Sequence, residues 1–241
     1  MGSPYLWRLP LYLKKRDSYM SKDRNKFKRL MCFTGVLSLV FYVLHDYIGG
    51  LNYPGYDRLS QVVSDLTAVS APSYVIANGL TAVYGLFGSL CCTIVSLIVC
   101  ENVVGNRLLR LGVYLFTVMS WISAIGFSLF PLSQPGPSAA AFRDIMHIYA
   151  VTFSSVLLTI ASLILIMIGG IKARPLAKGL PLIAAVALAC ILIGTFGVGL
   201  VPHDYFGLVE RFCAYSPAVF TAVLGLYGLR FLKASSRINY L

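Results

Sequence analysis

Residues 145–171 read IMHIYAVTFSSVLLTIASLILIMIGGI, without one Asp, Glu, Lys or Arg. A helix needs roughly 20 apolar residues to cross about 30 Å of hydrocarbon, and this run supplies them. Buried strands can be as apolar, but they rarely pass about eight residues. A lipid-facing barrel strand would alternate polar and apolar residues. Leu157–Leu158 and Leu163–Ile164 show no such alternation. The run reads as a transmembrane helix.

Working outward, the same freedom from charge recurs over 30–45, 66–100, 111–142, 179–203 and 212–229. These runs predict helices near 30–49, 73–100, 108–130, 144–171, 179–201 and 210–233. The first reaches spanning length only if His45 and Asp46 form its outer end. The fold class is therefore all-α, a polytopic bundle of six transmembrane helices over residues 30–233. A basic tail (1–29) precedes it and a short end (234–241) follows. Composition agrees: 58% of the 241 residues are hydrophobic and 12% charged, whereas a soluble domain carries about 25% charged residues.

Lys and Arg in the connections set the orientation. Seventeen of the twenty lie in the tail, the second and fourth connections and the C-terminal end; only Arg58, Arg143 and Arg211 lie on the other side. This predicts both termini in the cytoplasm. The net charge of +11 is then a topology signal. It does not point to nucleic acid, which would want a folded basic face. The first 29 residues do not form a signal peptide, because Arg8 and Pro10 interrupt a short apolar stretch. They are expected to lie on anionic head groups of the bilayer. The six cysteines form no CxxC and read as small packing residues.

Polar residues collect on the opposite, outer side. All three histidines (His45, His147, His203) and six of nine acids are there, among them Asp46, Asp65, Asp204 and Glu210. In the first outer loop, Leu59, Val62, Val63, Leu66 and Val69 recur at helical spacing after Pro54-Gly55. That predicts a short interfacial helix over Tyr56–Val69, with Asp57 as its N-cap and Arg58, Gln61 and Asp65 on its other face. Arg143 and Arg211 open helices where the dipole is positive, so each should have an anionic partner in the protein or in a ligand. His45-Asp46-Tyr47-Ile48-Gly49 and His203-Asp204-Tyr205-Phe206-Gly207 echo each other at the outer ends of helices 1 and 5.

Pro54-Gly55-Tyr56 with Ser64-Asp65-Leu66, Phe130-Pro131 before His147, and Gly207-Leu208 with Glu210-Arg211 resemble, in that order, the prokaryotic six-helix membrane family labelled domain of unknown function 998. The resemblance runs from helix 1 to helix 6 and leaves out the basic tail. It implies a bacterial or archaeal inner-membrane protein and carries no activity with it.

Three functions are compatible with the polar cluster. The first is an outer-face hydrolase or transferase acting on lipid, with His45, Asp46, Ser64, Asp65, His147 and His203 as its catalytic candidates. In it His45, His147 and His203 could hold Zn²⁺ with one position open for water. Ser, Asp and three His are similar in type to the residues of ceramidase-like membrane hydrolases, but their paired His-x-x-x-His is absent. The second is a binding or accessory protein, in which Arg58, Arg143, Asp204, Glu210 and Arg211 contact anionic lipid head groups or a partner. The third is a transporter, against which the helix middles carry no ionisable residue. The expected pocket gathers His45, Asp46, Asp65, Arg143, His147, His203, Glu210 and Arg211 beneath the first outer loop.

Overall fold

The computed structural model describes residues 9–103, 106–136, 141–173 and 176–238, with side chains between 23 and 233. Among them every regular element is helical: α1 (Leu9–Leu51), α2 (Tyr74–Asn102), α3 (Arg107–Leu129), α4 (Phe142–Lys172), α5 (Leu180–Gly197) and α6 (Phe206–Ile238). Six helices are long and apolar enough to cross a membrane, and each covers one of the charge-free runs. α1 also continues unbroken through the basic segment from Leu9; the first eight residues of the expected tail lie outside the described residues.

The helices form a closed ring in chain order. Each packs on the next, α6 returns to α1, and α2 and α6 touch across the ring. Phe33, Val40, Leu86, Leu111, Leu157, Leu182 and Val219 are exposed on its outside. So large an apolar belt has no place on a soluble monomer and suits lipid.

The ring has two unlike halves. Towards the basic end, where Lys28, Arg107 and Lys172 lie, it is solid. Val95, Ile98, Leu109, Phe116, Leu163, Ile166, Leu180, Phe220 and Phe231 are buried in one cluster, together with Cys32, Cys91 and Cys92. Phe116 and Phe220 meet edge to face at 5.2 Å between ring centroids, the arrangement that aromatic quadrupoles favour. Polar ties close this end. Lys28 pairs with Glu101. The Asn106 side chain caps α3 by accepting the Leu109 N–H, and it donates to the Gly169 carbonyl.

Towards the other end, here called the loop end, the helices splay around a hollow. Close approaches at glycines hold them together there, the one between α5 and α6 among them. A Cβ on Gly194 would collide with the Cys213 backbone, so only glycine lets α5 and α6 lie this near.

The helix expected over Tyr56–Val69 is replaced by turns through residue 61 and one 3-10 segment, Val63–Thr67. Asp57 does cap locally, its carboxylate accepting the Leu59 N–H at 3.0 Å and the Ser60 hydroxyl at 2.7 Å. Beyond it the backbone donors leave the loop: Val69 N–H donates to the Leu132 carbonyl and Ser70 N–H to that of Ser133. The facing differs too. Leu59 and Val69 are exposed, while Asp65 is buried. The segment folds into the mouth of the bundle instead of lying along its surface.

Candidate functional site

The hollow is a cavity of about 840 Å³ walled by residues from all six helices and three connections. On α4 both His147 and Thr159 line it. At about 1.5 Å per residue they lie roughly 18 Å apart, more than half the thickness of a hydrocarbon layer of about 30 Å.

Its chemistry changes with depth. At the loop end the wall carries His45, Ser64, Asp65, His147, His203 and Glu210. α1 places His45 inside the ring, 2% exposed, and neither ring nitrogen has a hydrogen-bond partner. A buried imidazole without partners is costly, which makes it the most unusual side chain in the wall. Ser64 and Asp65 arrive on the 3-10 segment. The Asp65 carboxylate accepts the Gly136 N–H at 2.9 Å; burial pushes its carboxyl above the ordinary range, and that bond opposes the rise only in part. Glu210, on the first turns of α6, accepts the Val63 N–H at 3.3 Å.

His147 sits in a wide π-turn, Met146–Thr152, that interrupts α4; such turns are frequent at functional sites. Its Nδ1 is 2.7 Å from the Phe130 carbonyl. A carbonyl only accepts, so Nδ1 carries the proton and Nε2 keeps a lone pair. That nitrogen could take a hydrogen bond or a proton from a bound molecule. His203 is exposed at the rim and stacks on Phe206.

Deeper, the wall turns apolar with hydroxyls set into it. Ser123 and Ser155 join α3 to α4 at 2.8 Å, and Ser89 and Ser120 join α2 to α3 at 3.1 Å. Met119, Val156, Ile191 and Pro217 fill the spaces between. Sequence reasoning missed these hydroxyls. Their signal was Ser120 and Ser123 on α3, and Thr152, Ser155 and Thr159 on α4, three or four residues apart.

The other expected site residues stand elsewhere. Asp46 and Arg211 lie behind the wall as a buried ion pair. Arg211 Nη2 and Nε reach the two Asp46 oxygens at 2.9 and 3.2 Å, and the Tyr215 hydroxyl donates to Asp46 at 2.8 Å. Arg211 Nη1 donates to the carbonyls of Arg58, Gln61 and Gly207, and Nη2 also reaches the Tyr56 hydroxyl. Burial pushes the Tyr56 phenol up to about 12, against the pull of Arg211. Nothing of the guanidinium is left for a ligand. Arg58 lies over the Tyr47 ring and donates to the Tyr47 carbonyl near the end of α1. Arg143 and Asp204 are exposed and outside the cavity wall. The His-Asp-Tyr echo has no structural counterpart, since Asp46 is buried in an ion pair and Asp204 is not.

Among the described residues, no three His, Cys, Asp or Glu side chains stand together closely enough to hold a metal ion. The zinc set expected from His45, His147 and His203 is not assembled: the three share a wall and not a point.

The chain belongs to the family described as a protein of unknown function (DUF998), whose model matches residues 36–227. The matched span begins inside α1 and ends inside α6, so it takes in the whole cavity wall. No curated protein and no solved structure matches the chain.

Proposed function

We propose that this protein binds a single amphiphilic, lipid-derived molecule in the hollow half of its bundle. The polar head sits among His45, Asp65, His147 and Glu210, and the hydrocarbon runs down between α3, α4 and α6. The observation that carries this reading is the gradient in one cavity wall, from ionisable side chains at the mouth to apolar and hydroxyl groups at depth. Ligand sites are commonly apolar clefts of about 300–1,000 Å³ with a few placed polar groups, and this volume falls within that range. The buried, partnerless His45 adds support, because a bound head group would satisfy it. The solid half argues for binding over transport, since a path across the membrane would have to cross the Phe116–Phe220 cluster.

Orientation follows the charge count, with the basic end in the cytoplasm and the cavity mouth outside. An impermeant thiol reagent applied to whole cells should label a cysteine placed at residue 57 and spare one at residue 175; the reverse pattern would invert the assignment. The binding reading is tested by extracting amphiphiles from purified protein. The parent should release one species in near-stoichiometric amount. Val156→Trp, which fills the cavity without touching its mouth, should release far less. Equal yields from both would sink the reading.

A further inference from the structure

We infer that the head group held at the cavity mouth is an ammonium, so the ligand is a long-chain amine or an amine-bearing lipid. The inference rests on the amphiphile reading above and specifies its polar part.

The formal charges on the wall are those of two acids. Asp65 and Glu210 line the cavity, and among the described residues no Lys or Arg does. The two cations nearby are committed elsewhere: half-buried Arg211 is matched by Asp46 and saturated by carbonyls, and exposed Arg58 lies on Tyr47 and the end of α1. An anionic head would meet two acids and no counter-ion in the wall, and such juxtapositions are unfavourable.

The donors and acceptors point the same way. An ionised carboxylate has about four acceptor sites. Asp65 receives the Gly136 N–H and Glu210 the Val63 N–H. The remaining capacity is open to whatever fills the cavity. His45, buried with both ring nitrogens partnerless, has a lone pair to offer as well. An ammonium brings three donors and a positive charge and accepts nothing. It therefore complements two carboxylates and an imidazole lone pair, and its charge-assisted bonds are the strong kind. Aromatic faces complete the cradle. Tyr42 and Tyr84 line the same wall with their rings 4.7 Å apart, and ring faces attract cations.

The test compares three radiolabelled single-chain probes of equal length, hexadecylamine, hexadecanol and hexadecanoate, for equilibrium binding to the full-length protein in an alkyl maltoside at neutral pH. The amine should bind at least about tenfold more tightly than the alcohol, as expected for charge-assisted bonds, with the acid weakest. The double variant Asp65→Asn, Glu210→Gln should erase the preference, bringing amine and alcohol to within about twofold of each other. Should that variant fail to give monodisperse protein, the ranking in the parent decides alone. An acid that binds as tightly as the amine overturns the inference, as does a preference that survives in the folded double variant. If the alcohol and acid bind and the amine shows no advantage, the amphiphile reading stands and this one falls. If none of the three binds, both fall.

Discussion

The two halves of the ring are built from the same six helices and spend their residues differently. The basic-end half buries Phe116, Phe220, Phe231 and a dense set of aliphatics until no room remains. The loop-end half buries His45, Asp46, Asp65, Asp144 and His147 around a void. Apolar packing is non-directional and fills space. Buried polar groups must instead find partners at fixed angles, and the loop end finds most of its partners in connections and not in neighbouring helices. One half holds the fold together; the other holds a space open at some cost in stability.

That contrast can be broken most severely at Asp46. Asp46→Ala leaves Arg211 buried without its counter-charge, which should cost about 3–5 kcal/mol. A large drop in the unfolding midpoint in detergent is expected, with the loop end loosening first, as seen by proteolysis at residues 53–62. A midpoint equal to the parent's would show that the pair contributes nothing to the hollow half. The contrast is sharpened by two phenylalanines. Phe116→Ala, in the solid half, should cost about 3–5 kcal/mol, the range for a truncated core aromatic. Phe127→Ala faces the cavity and only enlarges an existing void, so its effect should be the smallest of the three. Similar losses at both positions would mean that the halves are equally packed.

The fold was legible in the sequence because charge exclusion from hydrocarbon is a strong local signal. Each of α1 to α6 covers a run without Asp, Glu, Lys or Arg. The first loop was not legible, and the reason is physical. Leu59, Val62, Val63, Leu66 and Val69 at helical spacing report a preference for burial. They do not report that Val69 and Ser70 will donate to Leu132 and Ser133, more than sixty residues on. The site lay between these extremes. Arg211 placed against a helix dipole signalled an anionic partner, and Asp46 is that partner, 165 residues away. The identities of His45, His147 and His203 suggested metal, but residue type carries no distance, and the three do not converge. The cavity itself left its trace in the Ser and Thr spacing on α3 and α4, which resembles ordinary helix packing until a volume is measured.

The Asp46–Arg211 pair also has a history in time. Asp46 belongs to α1, and Arg211 to α6, 165 residues later in synthesis. At synthesis rates of roughly 5–20 residues per second, the interval between them is on the order of 10–30 s. Throughout it the nascent chain must hold a carboxylate near the membrane without the guanidinium that pairs with it, while four more helices enter. A chain that stops before α6 never forms that ion pair, and α2 and α1 lose the side of the ring that α6 supplies. Completion of α6 is thus built into the protein as the event that closes the ring and gives the Asp46 carboxylate its partner.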